Sequence, residues 1–472
     1  RGADMIVMKF GGTSVGGPEM MTRTAELIRQ SLERDREVVA VVSAMSGVTN
    51  ALRRAASSAA SGDHLTFRQI KEQLLRQHRD VANQCIRDGH RRRELQDQIE
   101  SLLGALGDLC QSVYVLGELT PRGMDAVISL GERLAARILA TLLADEGLPA
   151  QAVDATEVIV TSDDFGAAIP LMKETRHRAQ SRLLPWLAQG VTPVVTGFIG
   201  ATREGITTTL GQGGSDYSAA ILGHVLGANE VWIWTDVDGM MSADPHLVAE
   251  ARTLRQISYA EAAELSYFGA KVLHPKTIIP TQAAHIPLRI LNAFNSSHPG
   301  TLVCDEPLRN GRAIKGITAI AGVALVTVEG RGMIGVPGMA ARVFGTVARE
   351  GANVLMITQS SSEQNICFAI PQVDAVRVAK GLEEAFAVEL AHRNVDRISV
   401  QKEVAIIAAV GAGMQDTPGV AAQVLHALGK HNINCICIAQ GSSKYNISIV
   451  VSESQREAAV RHIHEELGLG NG

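Results

Sequence analysis

Short runs of apolar residues alternate with longer stretches in which apolar and polar positions recur at helical spacing. Met5-Ile6-Val7-Met8 reads as a strand. Val38-Val39-Ala40-Val41-Val42 contains no polar position, the pattern of a strand covered on both faces of a parallel sheet. Further strand-like runs lie at 152–154, 192–199, 230–235 and 286–291, with helical stretches between them, the longest over 51–115. Strands alternating with helices predict an α/β fold with a mostly parallel sheet between helical layers.

From about residue 300 the pattern changes. Val336-Pro337-Gly338-Met339-Ala340-Ala341 is echoed by Thr417-Pro418-Gly419-Val420-Ala421-Ala422, and Ile357-Thr358-Gln359 by Ile438-Ala439-Gln440. Both pairs of motifs stand 81 residues apart, and one constant offset across two motifs marks a duplication. Each copy reads as a βαββαβ unit. The predicted organisation is a large domain over 1–305 and two small ones over 316–396 and 404–472. The small pair either forms ligand sites where its edges meet or serves only to dimerise the chain.

Composition narrows the field. Hydrophobic residues make up 46% and charged residues 20% of the 472, as in ordinary globular proteins. A net charge of −5 argues against nucleic acid as a partner, and Arg91-Arg92-Arg93, flanked by Asp88, Glu94 and Asp97, reads as a solvated helix face. No unbroken apolar run approaches the ~18 residues of a membrane span. The six cysteines show no metal-ligand spacing; with no signal sequence in view, this predicts a reducing, cytoplasmic setting and no metal held by protein ligands alone.

Candidate chemistry concentrates at strand ends. The stretch Leu210-Gly211-Gln212-Gly213-Gly214-Ser215-Asp216 runs into the apolar helix Ala219-Ala220-Ile221-Leu222, with Ser215 or Asp216 placed to cap it. Such a junction suits a phosphate or carboxylate, although many glycine turns only connect a loop to a helix. Lys9, followed by Gly11 and Gly12, closes the first strand where open α/β sheets place ligands, and it can neutralise phosphoryl charge or simply end a strand in water. Glu132, after Gly131, suits an ammonium group or a helix dipole. Thr235-Asp236 closes another strand. Lys271 is a second candidate cation, and His274 before Pro275 reads as a packing or turn residue. Neither a P-loop nor a protein-kinase signature is present.

In the same order, Lys9 to Val15, Ser43 to Asn50, Gly131-Glu132, Gly197 to Gly200, Gly213 to Asp216, Trp234 to Gly239 and Phe268 to Pro275 resemble the motifs of aspartokinases, and the duplicated tail resembles their paired ACT domains. The resemblance covers nearly the whole chain. It implies an amino-acid-kinase fold and transfer of the ATP γ-phosphoryl group, with Mg2+, to the β-carboxylate of L-aspartate, the first step towards lysine, threonine and methionine. It implies catalytic roles for Lys9, Asp216 and Lys271, and nucleotide contacts at Gly11, Gly12, Ser14, Gly214, Thr235, Asp236, Met241 and His246. It implies an aspartate pocket of Ser43, Thr49, Glu132, Phe198, Gln212 and Ser215. The chain has no room for the homoserine dehydrogenase domain of some relatives, so a monofunctional kinase is expected.

Three positions depart from the family pattern. Gln212 stands where an arginine clamps the aspartate carboxylate, and an amide cannot match a charged guanidinium fork; Arg203 is a nearby substitute. Met241 and His246 replace a tyrosine and an arginine near the nucleotide. These changes leave two other readings open, a kinase of another small carboxylic acid and an amino-acid-binding regulatory protein with a degenerate kinase domain. In the tail the resemblance implies effector contacts at Asn353, Ile357, Gln359, Asn434, Ile438 and Gln440. The two glutamines, with Leu355 in place of an aspartate, point to threonine as effector. A homodimer or homotetramer through the ACT domains is expected.

Overall fold

The computed structural model describes residues 4–34, 36–269, 272–305, 313–333, 335–359, 364–414, 417–440 and 444–470. These fall into two compact units, the first made of 4–240, 255–262 and 272–305, the second of 241–254, 263–269 and the chain from 313 onward.

The first unit is built on ten strands: β1 (Asp4–Phe10), β2 (Arg36–Val42), β3 (Ala150–Val153), β4 (Thr192–Thr196), β5 (Ile199–Ala201), β6 (Thr207–Thr209), β7 (Glu230–Thr235), β8 (Gln256–Ser258), β9 (Leu288–Asn292) and β10 (Thr301–Cys304). Eight form one sheet in the order β3-β4-β2-β1-β7-β9-β10-β8, parallel except where β10 runs against β9, while β5 and β6 form a separate hairpin. β1 lies in the middle because both its faces are apolar. Met8 and Phe10 on one face and Val7 on the other are wholly buried, as are Val38 to Val42 on β2 beside it. The α/β expectation therefore holds, with the antiparallel β9–β10 pair as the mixed element.

The helices between these strands are α1 (Pro18–Leu32), α2 (Val48–Ala60), α3 (His64–Cys85), α4 (Gly89–Leu116), α5 (Pro121–Ile128), α6 (Leu130–Asp145), α7 (Met172–Ala188), α8 (Gly214–Leu226), α9 (Tyr259–Tyr267) and α10 (Pro275–Ala283). By length and composition α4 meets the requirements of a membrane span, which counting unbroken apolar residues does not register. Its Leu95, Ile99, Leu103, Leu106 and Cys110, at spacings of three and four, form one stripe buried in the hydrophobic core.

In the second unit β11 (Gly316–Glu329), α11 (Met339–Arg349), β12 (Met356–Gln359), β13 (Asn365–Pro371) and α12 (Ala375–Ala385) are followed by the short α13 (Ala387–Ala391). The first five recur 81 residues later as β14 (Arg397–Val410), α14 (Val420–Lys430), β15 (Cys437–Ala439), β16 (Asn446–Ser452) and α15 (Arg456–Glu466). The six strands form one antiparallel sheet, β12-β13-β11-β14-β16-β15. The long β11 and β14 pair from Gly316 against Val410 to Glu329 against Arg397, so the register maps onto itself when the two copies are exchanged. Each copy contributes three strands to this sheet, one fewer than a βαββαβ unit holds, and the two sets join edge to edge through β11 and β14. The edge strands also meet: the Thr358 hydroxyl donates to the Ile438 carbonyl at 3.2 Å.

Candidate active site

The C-terminal ends of β1, β2, β4 and β7 open into a cleft of about 760 Å³ within the first unit. Parallel strands bring this about, because each chain leaves the sheet at the same edge and enters a loop there. Among its lining residues are Lys9, Gly11, Gly12, Ser43, Thr49, Glu132, Phe198, Gln212, Gly214, Ser215, Asp216, Thr235 and Asp236, drawn from segments as far apart in sequence as Lys9 and Asp236.

Lys9 is 9% exposed and its Nζ lies 2.6 Å from Asp216 Oδ1. The strand-end lysine is thus not a solvated one: β1 is flanked by two parallel neighbours, and its last inward-facing side chain meets the first turn of α8. That helix starts at Gly214 with Gly213 as its N-cap and no capping side chain, which corrects the expectation that Ser215 or Asp216 caps it. Both lie inside the first turn, and the Asp216 carboxylate is taken up by Lys9, leaving the helix terminus open towards an anion. Gly213 holds φ 70°, and a Cβ there would lie 2.4 Å from the Cβ of His274. His274 itself caps α10, its Nδ1 accepting from the Lys276 amide at 3.2 Å, in keeping with a turn role.

Glu132 is 3% exposed in the first turn of α6. Its Oε1 accepts from the Ala44 amide at 3.1 Å, and its Oε2 is buried without a hydrogen bond. Burial pushes the carboxyl up to about 8, only partly offset by the Ala44 amide. A half-satisfied acid facing a cleft is a place for a cation that brings its own donors. Phe198 sits at φ 68°, a left-handed conformation rare for an aromatic residue. Its amide is bonded to Ser218 Oγ at 3.0 Å and its carbonyl to the Leu210 amide at 2.9 Å. These bonds, with Gly197 pressed against Ser215 on one side, hold the strained residue in place.

Other expected positions lie elsewhere. Ser14 is fully buried, with its carbonyl accepting from Thr24 Oγ1 at 2.7 Å, and is not among the lining residues. Met241 and His246 belong to the second unit and do not line the cleft; the Met241 thioether meets Thr253 Oγ1, and the His246 amide donates to Asp244. Lys271 lies outside the described residues. Arg203 does not replace the missing arginine: it is largely exposed and paired with Glu174 at 2.5 Å.

Two charged lining residues went unnoticed in the sequence, Asp125 and Arg53. Asp125 is fully buried; its Oδ2 accepts from the Gly166 and Thr209 amides at 2.9 Å each, and its Oδ1 from Thr209 Oγ1 at 2.8 Å. Burial raises its carboxyl, and those three bonds oppose the rise. It ties α5 to the strand that feeds the glycine loop. No local pattern announces a contact across 84 positions.

Of the positions expected to contact an effector, Ile357 and Gln359 lie on β12 and Ile438 on β15, whereas Asn353, Asn434 and Gln440 lie outside those strands. Ile357 and Ile438 are 51% and 36% exposed, high for isoleucine in a strand, and Gln359 and Gln440 are exposed beside them.

Residues 4–292 match the amino acid kinase family, and residues 326–386 and 407–467 each match an ACT domain. The chain is 39% identical over 469 residues to the chloroplastic bifunctional aspartokinase/homoserine dehydrogenase 1 of Zea mays, covering 98% of this chain and 50% of that one. It thus spans about half the length of such bifunctional relatives. It is 31% identical over 470 residues to lysine-sensitive aspartokinase 3 of Escherichia coli, covering 98% of this chain and 99% of that one. The structure of E. coli aspartokinase III in complex with aspartate and ADP superimposes with a TM-score of 0.83 at 30% identity, over 98% of this chain and 100% of the other.

Proposed function

We propose that this chain, which belongs to the aspartokinase family, transfers the γ-phosphoryl group of ATP to the β-carboxylate of L-aspartate. The observation that carries this reading is the pairing, in one cleft, of a buried Lys9–Asp216 ion pair with the half-satisfied carboxyl of Glu132. The first suits a transferring phosphoryl group and the second an amino-acid ammonium.

In the reaction an oxygen of the substrate β-carboxylate forms a bond to the γ-phosphorus while the bond to the β,γ-bridging oxygen breaks, and ADP departs with that electron pair. The nucleophile is already ionised, so no general base is needed; positioning and charge neutralisation are the protein's task. Lys9 neutralises charge on the transferring group, and Asp216 fixes the ammonium of Lys9. The amides of Gly11 and Gly214 donate to the Trp234 and Gly211 carbonyls at 3.3 and 3.0 Å, so these glycines lend the phosphates space beside the backbone and not free donors, with Gly12 lining the cleft next to them; Thr235 and Asp236 border the nucleotide. Glu132 receives the substrate ammonium, with Ser43, Thr49, Phe198 and Ser215 shaping that end. Mg2+ is held mostly by phosphate oxygens and water with one or two carboxylates; Asp236 and the Asp216 oxygen not paired with Lys9 would hold it here, and the ion would supply charge neutralisation.

The finer reading is a pathway-opening aspartate kinase regulated by threonine at the ACT edge strands, working as a homodimer or homotetramer. The repeated Gln359 and Gln440 beside Ile357 and Ile438 support an amino-acid effector there. The E. coli relative is described as lysine-sensitive, so both amino acids belong in the test. ATP- and Mg2+-dependent formation of aspartyl hydroxamate is expected, reduced by threonine and not by lysine. A product with another acid but none with aspartate would refute the substrate, and inhibition by lysine alone would refute the effector.

A further inference from the structure

An amino dicarboxylate brings one ammonium and two carboxylates into the cleft. Glu132 answers the ammonium, and one carboxylate faces the phosphoryl donor. The other needs a cation, because a carboxylate leaving water without one loses most of its solvation. Lys9 is committed to Asp216, and Gln212 on the glycine loop is a neutral amide. Among the described residues lining the cleft, the remaining cation is Arg53.

Arg53 lies on α2, where Thr49, Asn50 and Arg53 all line the cleft; spacings of three and four place them on one face of the helix. A chain of contacts fixes this face near the glycine loop. The Arg53 charge acts on Asp125, Asp125 Oδ2 accepts from the Gly166 amide at 2.9 Å, and the Gly166 carbonyl packs 3.2 Å from where a Cβ on Gly211 would stand, one residue before Gln212. Asp125 already accepts three hydrogen bonds from Gly166 and Thr209, none of them from Arg53, whose side chain is exposed. A guanidinium presents a planar fork that takes a carboxylate with two parallel bonds.

We propose that Arg53 is the specificity-determining cation of this cleft, holding the non-reacting carboxylate of the acceptor and doing from α2 what an arginine at position 212 would do from the loop. This rests on the phosphoryl-transfer reading above.

The test is steady-state kinetics on the full chain, with aspartate and ATP varied separately, for the unmodified protein, Arg53→Ala, Arg53→Lys and Arg53→Ala combined with Gln212→Arg. Arg53→Ala should raise the KM for aspartate by about 10- to 100-fold while kcat and the KM for ATP change by less than about 3-fold. Arg53→Lys should recover part of the loss, since an ammonium keeps the charge without the fork. Gln212→Arg should return the KM of Arg53→Ala towards that of the unmodified protein, a rescue that repair of a folding defect would not give. An unchanged aspartate KM in Arg53→Ala overturns the proposal and leaves the kinase reading intact. A joint loss in kcat and both KM values without rescue overturns it as well, by assigning Arg53 a structural role. Absence of turnover of any small carboxylic acid by the unmodified chain overturns the functional reading and this proposal with it.

Discussion

Replacing Glu132 with glutamine tests the ammonium site at its most sensitive point. The Glu132 carboxyl moves from an ordinary 4.5 to about 8 because burial removes its water, and backbone amides, that of Ala44 foremost, offset this only in part. Between those values the folded chain holds a proton that the unfolded chain releases. The neutral acid therefore costs little below about pH 4.5, and stability is lost as the pH rises towards and through 8. At about 1.36 kcal/mol per pH unit, the interval sets a ceiling near 5 kcal/mol. Water entering an open cleft lowers this, so a loss of about 2–4 kcal/mol is expected. Glu132→Gln stays neutral at every pH and escapes this loss. In differential scanning calorimetry of the ligand-free protein, the mutant's first-unit transition should lie about 5–10 °C above that of the unmodified chain at pH 9, and within about 2 °C at pH 5. Aspartate should reverse the order, because its ammonium pairs with the ionised acid and binding releases a proton. The loss of that buried partner should raise the aspartate KM of the mutant by about 30-fold or more. Melting temperatures that fall in parallel from pH 5 to 9, together with equal KM values, would refute the reasoning.

Three further outcomes follow from the geometry. Lys9→Met leaves the Asp216 carboxylate buried and unpaired and should lower kcat by about 10²- to 10⁴-fold with an unchanged circular dichroism spectrum; wild-type turnover would remove Lys9 from the chemistry. Gly213→Ala forces a Cβ against His274 at φ 70° and should cost about 2–4 kcal/mol in calorimetry, against about 1 kcal/mol for Gly47→Ala, which has φ 81° in open space; equal costs would show that left-handed backbone alone is responsible. Cys367, whose thiol is drawn down to about 7 by its hydrogen bond with Cys437, should be alkylated by iodoacetamide at pH 7.5 well before Cys110, which burial pushes up to about 11; mass-spectrometric site occupancy in the reverse order would contradict both assignments.

The sequence by itself determined the central strands of the first unit, because an all-apolar run such as Val38 to Val42 is stable only when covered on both faces; β5, β6, β8 and β10, three or four residues each, are too short to carry such a run. It determined the duplication as well, since every strand and helix of the second copy follows its counterpart by 81 residues. The glycine loop, the strand-end lysine and Glu132 were legible as candidates because phosphate and ammonium recognition demand those residue types at strand ends and helix starts. Tertiary structure alone decided how they are used. It paired Lys9 with Asp216 across 207 positions, left one oxygen of Glu132 without a partner, and made the two ACT copies share a single sheet. It moved the helix cap to Gly213, because a glycine in the left-handed region turns the chain where a serine or aspartate side chain was expected to. It also separated Arg203 from the role its nearness in sequence suggested and brought Arg53 to the cleft instead. The physical reason is common to all of these: periodicity and turn chemistry are properties of neighbouring residues, whereas charge pairing and unmet hydrogen bonds depend on which distant residues packing brings together.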